Sequence, residues 1–318
     1  MHEAIVSKIL LATDFSASAN LAQVYTKYLA MTLKASVVVL NVSEQRSSTA
    51  RALNEDEIQG SLRRLQETIE EHAVPVNIQR STGMPGDQIL STARELDADL
   101  IVIGLQGHTH LPYGLLGATA QTVTSSAPCP VLTVPLTAKE ASPCTFTAPA
   151  AMTVRRILAP VDFSEPSLDS LECAIHLARA LGADLVLLHV LEPVHANWDL
   201  PRMQGAEQIR DHWKARLVNL AGVVKSLGLS ATYEIRSGYP SDSILACALQ
   251  QRSELIVMGT HGQRGRGEIP IGSVAEAVLK EAPCPVLTVK HPKFISGRHP
   301  AIQAVLSQSS EQPANHEN

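Results

Sequence analysis

Ala127-Pro-Cys-Pro-Val-Leu-Thr-Val134 and Ala282-Pro-Cys-Pro-Val-Leu-Thr-Val289 are the same octapeptide, and the chain around them repeats as well. The offset of 155 residues that joins them also carries Thr82-Gly-Met-Pro-Gly-Asp-Gln-Ile-Leu90 onto Ser237-Gly-Tyr-Pro-Ser-Asp-Ser-Ile-Leu245. Closer to the N-terminus the offset is 148. There Lys8-Ile-Leu-Leu-Ala-Thr-Asp-Phe-Ser16 falls on Arg156-Ile-Leu-Ala-Pro-Val-Asp-Phe-Ser164, and Asn41-Val42 falls on His189-Val190. The second copy therefore holds seven extra residues between these blocks. Matches in this order do not arise by chance, so the chain is a tandem duplication.

Length and composition agree with two domains. The chain has 318 residues, and 45% hydrophobic content supplies two packed cores and excludes global disorder. Aromatics make up only 3%, so those cores rest on Leu, Val, Ile and Ala, which suits parallel sheets covered on both faces. A net charge of −5 argues against nucleic acid as the main partner, because neutralising phosphates needs a basic surface. Five dispersed cysteines with no CxxC pair fit buried hydrophobes in a reducing compartment. Cys129 and Cys284 read as packing residues beside the last strand, with redox sensing the minor alternative. The N-terminus has no basic and apolar leader, and no apolar run approaches the ~20 residues a membrane span needs. The expectation is a soluble, cytoplasmic protein with no membrane partner.

In the second copy strand and helix signals alternate. Strands are predicted at Arg156–Val161, Asp184–Val190, Thr232–Arg236, Leu255–Met258 and Val286–Val289. Helices are predicted at Leu168–Leu181, with Ser167 as cap and Gly182 as stop, at Gly205–Leu227 with Trp213 packing on it, at Ser241–Gln251 opened by Pro240, and at Ser273–Lys280. The first copy gives the same order. Such alternation implies right-handed crossovers and a parallel sheet in each half. The expected boundaries are 1–137 for the first domain, 138–152 for a linker, 153–292 for the second domain and 293–318 for a flexible tail.

Ligands of open parallel sheets bind beyond the carboxyl ends of the strands, where helix N-termini point amides outward. At that edge the second copy holds Gly259-Thr-His-Gly262, nine residues, then Gly272-Ser273. Gly259 would leave room for a ribose, Gly262 would permit a turn, and Gly272 would let the backbone approach phosphate. The amides that follow, with the Ser273 hydroxyl, would donate to phosphate oxygens.

With these residues the chain resembles the universal stress protein family. The resemblance runs through Pro160-Val-Asp162, His189-Val190, Gly238-Tyr-Pro240 and the glycine loop followed by Ser273-Val-Ala-Glu-Ala-Val278. It implies an α/β fold of two tandem five-stranded, parallel, Rossmann-like domains of the adenine nucleotide alpha hydrolase-like kind. It also implies that the halves pair through their last strands into an intramolecular pseudo-dimer, with homodimerisation open, and that members with the full loop bind ATP, here expected with Mg2+. Carried across by the resemblance, Pro160, Asp162 and Val190 line the adenine and ribose end. Met258, Gly259, His261 and Gly262 flank the ribose and phosphates, and Gly272, Ser273, Val274 and Ala275 cradle the phosphates.

The first copy keeps Asp14, Val42, Gly104, Gly107 and Gly117, but Ala118 replaces the serine and Ala12 stands where the second copy has Pro160. A lost hydrogen bond to a charged group costs about 1.5–3 kcal/mol, over tenfold in affinity, so a weak or empty first site is expected. Several residues also have plainer readings. Asp162 could simply start a helix, His261 could be a loop residue in water, and Arg264 and Arg266 could fold over a triphosphate or be solvated. His108 and His110 lack a nearby Asp, Glu or Cys to complete a metal shell.

Three functions follow from this site. The first is a nucleotide-binding regulatory module, with at most slow hydrolysis or self-phosphorylation, since no Walker lysine or kinase catalytic loop is present. The second is an adenylate-forming enzyme, for which Asp162-Phe-Ser-Glu-Pro166 offers no signature loop. The third is an interaction protein with dead nucleotide sites, against which the intact Gly272-Ser273 weighs.

Overall fold

The computed structural model describes residues 6–44, 54–107, 115–136, 152–192, 203–262 and 271–290, together with 300 and 302. His108, His110, Arg264, Arg266, the linker up to 151 and nearly all of the tail lie outside the described residues.

The first half runs β1 (Lys8–Ala12), α1 (Ala17–Leu33), β2 (Ser36–Ser43), α2 (Glu55–Glu70), β3 (Val76–Thr82), α3 (Pro85–Glu95), β4 (Leu100–Gly104), α4 (Ala118–Ser126) and β5 (Val131–Val134). The second repeats it as β6 (Arg156–Pro160), α5 (Glu165–Leu181), β7 (Asp184–Leu191), α6 (Met203–Ser226), β8 (Ala231–Ser237), α7 (Pro240–Gln250), β9 (Leu255–Gly259), α8 (Ser273–Glu281) and β10 (Val286–Val289).

The strands form one ten-stranded sheet in the order β3-β2-β1-β4-β5-β10-β9-β6-β7-β8. Pairing is parallel within each half, and β5 meets β10 antiparallel with Leu132 opposite Leu287. The duplicated octapeptide thus supplies both strands of the joint, and covering two edges with each other removes an exposed template for aggregation. Thr133 Oγ1 donates to the Val286 carbonyl at 3.1 Å, and Thr288 Oγ1 returns the bond to Val131 at 3.3 Å. One apolar cluster on the α1/α5 face runs through both halves, from Val6 and Leu29 to Cys173 and Leu287. Each half keeps its own cluster on the opposite face, one around Leu10, Ile101 and Val123 and the other around Leu158, Ile256 and Val278.

Helix entry departs from expectation at one point. Ser164, not Ser167, caps α5: its hydroxyl accepts from the Ser167 amide, and Pro166 sits in the first turn. Proline suits that turn because its missing N–H has no intrahelical acceptor there, so the helix starts earlier than its apolar pattern suggests. At the far end Gly182 takes the left-handed conformation, φ 67°, as a helix stop requires. Lys34 does the same in the first half at φ 58° without glycine's freedom.

Candidate functional site

Beyond the carboxyl ends of β6, β7 and β9 lies an open cleft of about 640 Å³. Its size is ordinary for a small-molecule site. Every described second-half residue that the resemblance assigns to the nucleotide lines it. Pro160 ends β6 and Asp162 follows, Val190 lies near the end of β7, and Met258 and Gly259 end β9. His261 and Gly262 lie in the loop after β9, while Gly272, Ser273, Val274 and Ala275 form the N-terminus of α8.

Asp162 uses its two oxygens differently. Oδ1 accepts from the Ser164 amide at 2.9 Å and from the Ser164 hydroxyl at 2.5 Å, which turns the chain into α5. Oδ2 faces Gly262, where an added Cβ would stand 2.6 Å away. The helix-starting role thus rests on Oδ1, and Asp162 also lines the cleft. Phe163 beside it takes the left-handed conformation, φ 61°, as Phe15 does in the first half at φ 62°. A non-glycine residue held there is strained and persists only when its surroundings fix it.

The glycines have physical reasons beyond those read in the sequence. A Cβ on Gly259 would meet the Pro166 carbonyl oxygen at 3.0 Å, so α5 packs directly on the end of β9. Gly262 lies against the Asp162 carboxylate, which a Cβ would have to displace, and has no positive φ.

At the other end of the cleft Gly272 is the N-cap of α8, with no side-chain cap. The Glu276 amide bonds back to the Gly272 carbonyl at 2.9 Å, so the amides of Ser273, Val274 and Ala275 have no acceptor within the helix. Amides left free in this way, with the positive end of the helix dipole, make a helix start suited to an anion. Gly272 is held to the loop by its own amide, which donates to the Thr260 carbonyl at 2.8 Å. His261 Nδ1 lies 2.9 Å from Thr260 Oγ1.

The cleft also includes residues the sequence does not assign to the site, among them His189, Ile209, Trp213 and Glu276. Buried His189 donates from Nδ1 to the Val161 carbonyl at 2.7 Å, and burial holds its pKa below the ordinary imidazole value. Asn41, its counterpart in the first half, holds the Thr13 carbonyl in the same way at 2.9 Å. Glu276 is paired with Lys280 at 2.6 Å on α8. The signal for Trp213 was the seven-residue insertion just before it, together with its place in a chain containing two tryptophans.

The first half repeats the arrangement in part. Asp14 follows β1 and accepts from the Ser16 amide at 2.9 Å, Val42 lies near the end of β2, and a Cβ on Gly107 would stand 3.0 Å from Asp14 Oδ2. Gly104 ends β4, Gly117 is the N-cap of α4 and Ala118 is its first residue, with no hydroxyl where Ser273 has one. Here the loop is tied down, because Ser16 Oγ donates to the Gln106 carbonyl at 3.2 Å and Ser18 Oγ bonds the same oxygen.

Comparison with known proteins agrees with this architecture. The chain is 32% identical over 146 residues to a universal stress protein of Methanocaldococcus jannaschii, covering 44% of this chain and 84% of that one. It is 23% identical over 318 residues to a universal stress protein of Synechocystis, covering 90% of this chain and all of the relative. The crystal structure of a universal stress protein from Archaeoglobus fulgidus matches with a TM-score of 0.65 at 20% identity, over 91% of this chain and 99% of that one, a likeness of fold. The profile of the universal stress protein family matches residues 6–135 and again 153–290, so this chain belongs to that family as a tandem, two-domain member.

Proposed function

We propose that the second-half cleft binds an adenine nucleotide, ATP carried with Mg2+, and that the protein acts as a nucleotide-dependent regulatory module of the cytoplasm. The observation that supports this most is the α8 mouth. Three first-turn amides without a side-chain cap open into the same cleft as Asp162, Val190 and Met258. An anionic group at that mouth and a planar base against the apolar strand ends satisfy both ends at once.

No Lys or Arg stands among the described residues lining the cleft, and of these the α8 amides and dipole would meet the charge of the phosphates. The described residues hold no group of three or more His, Cys, Asp or Glu able to cage a metal. Mg2+ would therefore come as a partner of the phosphates, with waters completing its shell. Among the described residues of the cleft none combines a positioned base with a cation to stabilise transferring charge, which supports at most slow hydrolysis or self-phosphorylation. Occupancy acts by shifting the balance between conformations or partners.

Calorimetric titration of ATP into the native chain, Gly272→Val and Gly117→Val tests this reading. The two substitutions are matched, since a Cβ would approach a loop carbonyl at 3.1 Å in one and 2.9 Å in the other. The expected result is close to one site per chain, lost in Gly272→Val and retained in Gly117→Val. No heat of ATP binding would leave a nucleotide-independent interaction protein, and two equal sites would overturn the weak first half.

A further inference from the structure

The seven residues present only in the second copy become helix. At the 155-residue offset Glu55, the first residue of α2, aligns with Arg210, yet α6 begins at Met203. The insertion thus adds two turns, about 10 Å of helix, to the N-terminus of α6. Ile209 lies in the added part, Trp213 lies one turn further on the same face, and both line the cleft.

Trp213 is held rigidly. Its ring stacks on Phe163 at 5.2 Å and 30° and leans on His189 at 4.7 Å. The Arg216 guanidinium lies 4.2 Å from the Phe163 centroid and 4.9 Å from that of Trp213. In the first copy Ile58, Asn41 and Ser61 occupy the positions of Trp213, His189 and Arg216, so only the phenylalanine of this stack is shared.

The stack also gives the cleft a second wall. Val190, Met258, Ile271 and Ala275 belong to the apolar layer on the α7/α8 face of the sheet. Trp213 packs with Val161 and Phe163 on the α5/α6 face. The cleft therefore passes over the sheet edge, and its α6 lobe adjoins β7, beside Pro160 and Val190 and away from the α8 mouth. Resting on the nucleotide reading above, we infer that Ile209 and Trp213 form a subsite for an apolar or aromatic group carried on the purine ring. The preferred ligand of the second half is then a base-substituted adenine nucleotide. A rigid indole wall favours this, because a preorganised aromatic surface pays little entropy on binding a flat apolar group.

The test is calorimetry of the full chain with ATP and with N6-benzyl-ATP, both with Mg2+. The benzyl derivative is expected to bind about five- to tenfold more tightly than ATP, the scale of one added aromatic contact. The ratio of the two affinities should fall toward one in Ile209→Ala and in Trp213→Ile. Ile209 is 49% exposed, so its truncation leaves the core intact. Trp213→Ile installs the residue of the first copy. Equal or weaker binding of the benzyl derivative to the native chain overturns the subsite while leaving the nucleotide reading in place. So does a ratio unchanged in both variants. Failure of both ligands to bind overturns the nucleotide reading and the subsite with it.

Discussion

Gly262 lies so close to Asp162 that a Cβ on the glycine would stand 2.6 Å from Oδ2 of the carboxylate. The pair recurs in the first half as Gly107 and Asp14, at 3.0 Å, so both loops are shaped around the aspartate two residues past the first strand of their half.

A methyl group at 262 therefore forces the Asp162 carboxylate to move, and its Oδ1 bonds to Ser164 move with it. Gly262→Ala should weaken ATP binding by about tenfold or more, the cost of losing one hydrogen bond to a charged group. In an Asp162→Ala background the same alanine has nothing to displace and should cost little more. A double-mutant cycle by calorimetry checks this, since residues that act through one contact are non-additive. Strictly additive losses would show that Gly262 works independently of Asp162.

The repeat made the fold legible. Two copies of one octapeptide placed β5 and β10, and apolar runs ending at Asp14 and Asp162 placed β1 and β6. The α5 cap was misplaced because Ser164 and Ser167 both precede apolar helical residues, and the Pro166 between them decides where the helix starts. The roles of Gly259 and Gly262 were legible as glycine but not as contacts. What they avoid, the Pro166 carbonyl and the Asp162 carboxylate, comes near only when α5 packs on the sheet. The sequence places Trp213 on α6 but not in the cleft, because helical spacing gives a face of the helix and not the Phe163 ring it stacks on.

The joint between the halves is not symmetric. Lys290 Nζ, just past β10, donates to the Ser125 carbonyl in the last turn of α4 at 2.7 Å. That turn has no basic residue of its own, and the position matching Lys290 in the first half is Pro135. A cation at a helix C-terminus is favourable, and this one is supplied from across the pseudo-dimer. Lys290→Ala should lower stability by about 1 kcal/mol, read as a fall in the urea midpoint with unchanged slope. Lys280→Ala removes only a surface pair on α8 and should shift the midpoint by less. Equal effects of the two would deny Lys290 a role in joining the halves.

His189 makes the second half sensitive to acid. Burial lowers its pKa from the ordinary 6.5, outweighing the Val161 hydrogen bond and nearby Asp162, which favour the charged ring, while Arg216 adds to the depression. The ring is therefore neutral in the folded protein at pH values where an unfolded imidazole has already taken up a proton. Below about 6.5 the unfolded state binds more protons than the folded one, so stability falls with pH until the folded ring also titrates. Above that range the contribution is fully present and flat. Urea denaturation across pH 5 to 8 should show this decline in the native chain. His189→Asn, which installs the first-half residue and keeps a donor for the Val161 carbonyl, should show a shallower one. If the two profiles run parallel, His189 is not the group that titrates.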